Sequence, residues 1–130
     1  MEVHDMQYHQ VLSELAEPVR DVRNQIPDVW RAYADLHKAA MAEGELGGVV
    51  KELIALAIAV TRSCDGCIAS HSRSAARRGA TPSQVAEMIG VAVLMLGGPG
   101  TVYGPRAFKA FMEFYQADHQ GDSTAPVKPE

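Results

Sequence analysis

The sequence predicts an all-α fold, and three observations support this class. No segment shows a convincing alternation of apolar and polar residues, the pattern typical of a half-buried strand. Hydrophobic residues make up 47% of the 130 residues but aromatic residues only 6%, so most apolar side chains are aliphatic or Met and suit closely packed helices. Glycine and proline residues separate the apolar segments. We therefore expect a single domain with a bundle of about six helices.

Two helices are expected before the first glycine-rich segment. Residues 8–17 form a short one that ends before Pro18. A second begins at Pro27 and runs into breakers at Gly44 and Gly47. Its apolar residues recur at helical spacing: Val29, Trp30, Tyr33, Leu36, Ala40 and Met41.

Four more helices are expected after these breakers. Residues 49–62 are apolar around nearly the whole helix, which requires burial on most sides. Residues 64–78 form the next helix, and Gly79 ends it. Thr81 is the N-cap of a helix over 82–96, again apolar almost all round, and Gly104-Pro105 begins a last helix over 105–116.

The expected domain covers residues 1–120, and the Pro- and Ser/Thr-rich segment 121–130 is expected to be a disordered tail. Two helices that are apolar all round are too many for a small monomer to enclose. They can cross at the centre of one bundle, or other subunits can bury part of their surface. We favour the second arrangement and expect a homo-oligomer.

Charge and hydropathy exclude several classes of function. A net charge of -4 without a basic block argues against nucleic-acid binding, and we interpret Arg73, Arg77 and Arg78 as the solvated face of a helix. The N-terminus has no secretory signal pattern. The longest apolar stretches, 53–60 and 90–96, are far shorter than the about 18 residues that a membrane span needs. We expect a soluble cytoplasmic protein that does not bind membranes.

The candidate active site consists of Glu52, Cys64, Cys67 and His71. Cys64 and Cys67 are the only two cysteines, and in a reducing compartment this C-x-x-C spacing is more often redox-active or metal-binding than structural. If a helix begins near Cys64, His71 lies one turn beyond Cys67 on the same face. The helix N-terminus favours a thiolate, and His71 can accept its proton. The nearby carboxylate of Asp65 opposes the thiolate.

Glu52 begins an apolar segment, where a carboxylate is costly to desolvate without a partner. An exposed position in the first helical turn would explain it, but we favour a role in orienting His71 or relaying its proton. We interpret His37 as a surface histidine, and Tyr103 and Arg106 as residues that cap and pack the last helix. No Walker, Rossmann or G-x-S-x-G pattern is present, and we expect no cofactor and no bound metal.

The spacing Glu52-(eleven residues)-Cys64-x-x-Cys67-(three residues)-His71 resembles the signature of the AhpD-like (alkylhydroperoxidase D) branch of the carboxymuconolactone decarboxylase superfamily. The resemblance extends over about residues 27–114 and includes LMLGGPGTVYGPRAFKAF after the site. It implies an all-α fold, trimers or hexamers, and reduction of hydroperoxides. A protein or lipoyl dithiol then reduces the resulting disulfide.

By this resemblance Cys67 attacks the peroxide, Cys64 resolves the product as a disulfide, and Glu52 and His71 relay the proton. Some members of the branch have a second histidine directly before the second cysteine, where this chain has Gly66. The proton relay that the resemblance implies is therefore shorter here by one histidine. Two alternatives stay open: a zinc site built from the same four residues, and a cofactor-free decarboxylase or lactone-handling enzyme of the same superfamily.

Overall fold

Six α-helices and no strand make up residues 7–119, the part of the chain that the computed structural model describes. The all-α class and the predicted number of helices are confirmed. The expected tail, residues 121–130, lies outside the described residues. The helices are α1 (Gln7–Gln25), α2 (Pro27–Met41), α3 (Gly48–Thr61), α4 (Asp65–Arg77), α5 (Pro82–Leu96) and α6 (Gly100–His119).

α3, α4 and α5 begin and end within one residue of their predicted bounds, and α2 begins at Pro27 as predicted and ends at Met41, before Gly44. At the start of α5, Thr81 Oγ1 accepts a hydrogen bond from the Gln84 amide at 3.2 Å, and Gln84 Oε1 accepts one from the Thr81 amide at 2.9 Å. This reciprocal pair satisfies two amides that a helix start leaves without partners. At the end of α4, Gly79 has φ +95°, a left-handed conformation that glycine adopts without strain.

The prediction that the first helix ends before Pro18 is wrong, because α1 continues through this residue to Gln25. A proline inside a helix removes one backbone hydrogen bond and crowds the carbonyl four residues earlier, here that of Glu14. Both residues are exposed, so water can satisfy the freed carbonyl. The helix is also held from outside, since it packs against α4 and α6.

The predicted bounds of the last helix, 105–116, are also wrong: α6 begins at Gly100. The glycines of this segment serve close packing against α5 and do not interrupt the helix. A Cβ at Gly100 would lie 2.9 Å from the Val93 Cα, and one at Gly104 would lie 2.7 Å from Ile89 Cγ2. The spacing of four residues places both glycines on one face, where they let the two helices approach closely.

The core is built mainly from small and aliphatic residues, as the composition predicts. α6 packs along α4 and α5, and α3 packs against all three. Alanines at the contacts allow this close approach, and larger side chains fill the remaining space. Residues with no exposed surface include Leu56, Val60, Ile68, Ala69, Ala75, Val85, Ala107, Ala110 and Phe111.

The buried carboxylate of Glu113 on α6 fixes the start of α1. Its Oε2 accepts hydrogen bonds from the amides of Tyr8 at 2.9 Å and His9 at 3.2 Å. A carboxylate at this position also interacts favourably with the positive end of the helix dipole. The Tyr8 side chain is buried beside it, and burial raises the pKa of its hydroxyl, with Asp65 adding to the rise.

Large apolar side chains remain exposed in the single chain, most of them on α2, α3 and α5. None of the residues of α2 is buried, and Val29, Tyr33 and Leu36 are all more than half exposed. One side of α3 and one side of α5, which the sequence predicts to be apolar all round, also carry exposed aliphatic residues. We call this set the apolar surface: Val50, Ile54 and Ile58 of α3 with Val91, Leu94 and Met95 of α5. No helix between residues 7 and 119 has the length and hydrophobicity to cross a lipid bilayer.

Replacing Glu113 with Ala should detach the start of α1. Two amides then lose their acceptor in a buried environment, and we expect the free energy of unfolding to fall by about 1–3 kcal/mol. Urea denaturation measures the loss, and hydrogen exchange should show the first turn of α1 opening more than α3. Glu87→Ala, at an exposed position on α5, is the control. Equal stability of the two variants would contradict this role of Glu113.

Candidate active site

The two cysteines lie at the start of α4, in the positions that the sequence predicts. Cys64 is the N-cap residue, and its Sγ accepts a hydrogen bond from the Cys67 amide at 3.3 Å. The two residues are joined by a disulfide, with Cα atoms 5.2 Å apart. Cys67 is exposed, whereas Cys64 is half-buried. Cys67 is therefore the more accessible residue of the pair.

A tight turn between α3 and α4 brings the rest of the site together. Ser63 has φ +52°, an uncommon left-handed conformation for a residue with a side chain. Backbone hydrogen bonds hold this turn, from the Ser63 amide to Val60 at 3.1 Å and from the Cys64 amide to Ala59 at 3.3 Å. The chain reverses here, so residues of α3 well before the turn face residues of α4 well after it.

Glu52 and His71 meet across this reversal. Glu52 is only 1% exposed, and its Oε2 lies 3.0 Å from Nδ1 of His71, whose side chain is 24% exposed. An ionised carboxylate can only accept, so the imidazole donates its Nδ1–H. In a neutral His71 this leaves the lone pair at Nε2, the nitrogen that is free to take a proton. The structure thus brings together the carboxylate and the imidazole that the sequence analysis grouped with the cysteines.

Arg78 is a third member of this cluster that the sequence analysis assigned to a solvated helix face. Its Nε lies 3.6 Å from Oε1 of Glu52, and its Nη1 donates to the Met41 carbonyl at 3.3 Å. The carboxylate therefore has His71 at one oxygen and Arg78 at the other. A signal for this contact exists in the sequence, because Arg78 follows His71 by seven residues, or two helical turns on the same face.

His37 also lies closer to the site than a surface histidine would suggest. Its ring centroid is 6.4 Å from that of His71, and the two planes are inclined by 21°. The residue itself is exposed, in agreement with the sequence analysis. No spacing within the sequence connects α2 to α4, so this proximity could not be predicted. Tyr103 and Arg106 contact each other, with the guanidinium carbon 5.1 Å from the ring centroid.

The structure gives a steric reason for the small residue between the cysteines. A Cβ at Gly66 would lie 3.2 Å from Cδ1 of Leu15, which extends from α1 over the start of α4. A larger side chain at this position would therefore require Leu15 to move.

Metal binding finds little support in this geometry. Within residues 7–119 no group of three His, Cys, Asp or Glu side chains is placed so that it could hold a metal ion. Glu52 is directed to His71 and Arg78. The zinc alternative of the sequence analysis therefore lacks a suitable set of ligands in the described part of the chain.

The protein is an all-α bundle with two cysteines at a helix start and a hydrogen-bonded pair of Glu52 and His71. These features define its class. The chain belongs to the carboxymuconolactone decarboxylase family, whose profile matches residues 27–110. The matched range contains Glu52, Cys64, Cys67 and His71, whereas α1 precedes it.

Two individual proteins and one solved structure are also similar to this chain. An uncharacterised protein of Cupriavidus necator is 41% identical over 85 residues, which are 65% of this chain and 75% of that protein. Uncharacterised protein 4 in the cox locus of Paracoccus denitrificans is 37% identical over 82 residues, 63% of this chain and 74% of that protein. The crystal structure of a carboxymuconolactone decarboxylase family protein from Legionella pneumophila, without ligand, superposes with a TM-score of 0.82 at 34% identity. The superposition covers 85% of this chain and 98% of the Legionella protein.

Replacing His71 with Gln should lower the fraction of Cys67 that is present as thiolate in the reduced protein. Without the imidazole the thiol loses its proton acceptor, and we expect the pKa of the Cys67 thiol to rise toward the ordinary value of about 8.5. The rate of alkylation by iodoacetamide between pH 5 and pH 10 measures this value. His119→Gln, at the end of α6, is the control, and equal profiles for both variants would contradict a role for His71.

Proposed function

We propose that this protein is a thiol oxidoreductase of the AhpD-like branch of its family, and that it reduces hydroperoxides through Cys64 and Cys67. The observation that carries the proposal is the disulfide at the N-terminus of α4, followed one helical turn after Cys67 by a His71 whose Nδ1 is hydrogen-bonded to Glu52. Lactone or decarboxylase chemistry gives no reason for two sulfurs in bonding contact at this place. A dithiol cycle requires it.

The first step uses Cys67, the more exposed of the two sulfurs. His71 takes the thiol proton at Nε2, while Glu52 holds the imidazole through Nδ1–H and compensates the positive charge that develops. The Cys67 thiolate attacks the terminal oxygen of a hydroperoxide and breaks its O–O bond. His71 returns the proton to the departing alkoxide, so the products are an alcohol and the sulfenic acid of Cys67.

The second step closes the disulfide. The thiol of Cys64 attacks the sulfenic sulfur of Cys67, a disulfide forms and one water leaves. The Cα distance of 5.2 Å lies within the usual range for a disulfide, so little backbone movement is needed. A dithiol of a protein or of a lipoyl group then reduces the bond in two exchange steps and becomes a disulfide itself. This regeneration suits a reducing cytoplasm, in which we place the protein. No metal or cofactor enters the cycle.

We also infer that the active form is a homo-oligomer, either a trimer or a hexamer. The apolar surface on α3 and α5 would otherwise remain in contact with water, and Leu94 and Met95 are about four-fifths exposed in the single chain, at 80% and 78%. A second copy is the occupant that fits, because aliphatic faces of this kind are typical of homo-oligomer interfaces.

Cysteine variants test the catalytic cycle. We expect Cys67→Ser to abolish consumption of cumene hydroperoxide, because the attacking sulfur is gone. Cys64→Ser should perform one attack and then accumulate sulfenic acid or a mixed disulfide, which intact-mass spectrometry detects. In the unmodified chain, hydroperoxide should remove two hydrogens, and a dithiol should restore them. Attack without Cys67 would reverse the assigned roles, and no mass change with any hydroperoxide would refute the proposal.

A charge within the apolar surface tests the oligomer. Ile54→Glu would place a carboxylate in a desolvated interface, and we expect dissociation toward the 14.0 kDa monomer. Light scattering coupled to size-exclusion chromatography measures the mass. Ser83→Glu, at an exposed polar position on α5, should keep the mass of the unmodified protein. An unmodified chain that is already monomeric at micromolar concentration would refute the inference.

A further inference from the structure

The carboxylate of Glu52 has a second charged neighbour, Arg78, which takes no part in the proposed catalytic cycle. Among residues 7–119, two cationic or ionisable basic side chains lie within 4 Å of it, His71 at 3.0 Å and Arg78 at 3.6 Å. His71 is positive only when it holds the transferred proton, whereas an arginine stays protonated under all physiological conditions. Arg78 is therefore the permanent counter-charge of this buried carboxylate.

We propose that Arg78 is a positioning residue, which keeps Glu52 charged and directed at His71 and thereby promotes the thiolate of Cys67. The expected effect on the reactivity of the Cys67 thiol rests on the proposed function, whereas the expected effect on the tautomer of His71 does not. A buried carboxylate with a neutral imidazole as its one partner would either take up a proton or turn toward water. In both cases the carboxylate would stop accepting the hydrogen bond from Nδ1–H of His71. The proton of the neutral imidazole could then move to Nε2, which would lose the lone pair that accepts the thiol proton.

The surroundings of Arg78 fix its guanidinium in this position. Its Nη1 donates to the Met41 carbonyl at 3.3 Å and lies 4.0 Å from Oε1 of Glu43. The same Glu43 oxygen accepts a hydrogen bond from the Gly48 amide at 3.0 Å, at the start of α3. The guanidinium thus lies between the carboxylate of Glu52 and the segment that joins α2 to α3. A planar group with several donors fits this arrangement better than the single ammonium of lysine.

Gly48 provides the space through which Arg78 reaches Glu52. A Cβ at this position would overlap the guanidinium of Arg78 and lie 2.7 Å from Oε1 of Glu43. Gly48 has no positive φ, so its backbone conformation does not require glycine. Alanine is also the better helix former. Space for the guanidinium therefore explains a glycine that the backbone itself does not require.

Three variants test the proposal, each compared with the chain that carries Cys64→Ser alone. Arg78→Met removes the charge, Arg78→Lys keeps the charge without the planar group, and Gly48→Ala displaces an intact Arg78. Arg77→Met is the matched control, because it removes the same charge from the neighbouring exposed residue. Circular dichroism and thermal unfolding establish that each variant is folded before it is compared.

The first readout is the tautomer of His71 from ¹H–¹⁵N NMR of the imidazole ring. We expect the Nδ1–H form to dominate in the parent and in Arg77→Met, and to become the minor form in Arg78→Met and Gly48→Ala. The second readout is alkylation of Cys67 at pH 7. It should slow by about tenfold in the same two variants, the change that one unit of thiol pKa produces. Arg78→Lys should recover part of both signals.

The outcomes separate this proposal from the proposed function. If the tautomer and the alkylation rate stay unchanged in both Arg78→Met and Gly48→Ala, the positioning role is wrong, even when the protein consumes hydroperoxide. Hydroperoxide consumption is measured separately on the chain with both cysteines, because Cys64→Ser cannot complete the cycle. A tautomer change in Arg78→Met, together with no hydroperoxide consumption by the chain with both cysteines, would support the positioning role and refute the peroxidase function. An equal loss in Arg77→Met would show a general effect of net charge and would overturn the proposal. Should Arg78→Met fail to fold, Gly48→Ala decides the question, because it retains the arginine.

Discussion

The buried carboxylate of Glu52 is the constraint on which the arrangement of the site depends. Burying an ionised carboxylate costs several kcal/mol unless nearby groups compensate it. Here the compensation comes from two places: His71 on α4, and Arg78 directly after α4. The segment between α2 and α3 holds Arg78 in turn, through Met41 and Glu43. If any of these elements shifted, the charge would lose a partner, so this contact links α2, α3 and α4.

The cysteines depend on this arrangement in a different way. Their position at the first turn of α4 follows from the reversal at Ser63, where only three residues, 62–64, separate α3 from α4. The same reversal places α3 against α4 and so brings Glu52 under His71. A helix start offers free amides to a sulfur, as the bond from the Cys67 amide to Cys64 shows. The turn therefore places the two sulfurs at the start of α4 and also brings Glu52 into contact with the imidazole of His71.

Local patterns predict the parts of this molecule in which neighbouring residues decide the structure. The C-x-x-C at a helix start and the helix boundary at Thr81 belong to this group, because each depends on interactions within one turn. Local patterns do not predict the extents of α1 and α6, since packing against other helices overrides the effect of Pro18 and Pro105. Gly104 indicates a helix start by its sequence alone, and only the closeness of Ile89 reveals its role in packing.

The same distinction applies to the site. The pairing of Glu52 with His71 could be inferred, because an isolated carboxylate in an apolar helix requires a partner. Arg78 lies two helical turns after His71, so its spacing indicates that the two share a helix face. The sequence does not predict that Arg78 reaches Glu52, because a charged residue near a helix end has water as an adequate partner. The role of Glu113 has no such signal, since the amides that it binds lie at the other end of the described chain.

The environment of Gly66 shows how α1 shapes the site beyond the range that matches the family. The Leu15 side chain lies next to this glycine, so a side chain between the cysteines would require Leu15 to shift. α1 is itself held by Glu113, a residue of α6. The second imidazole near His71 instead comes from α2, where His37 stacks at 6.4 Å. α2 buries none of its residues in the single chain and packs against α1 and α3, so these two helices set the position of His37 near His71.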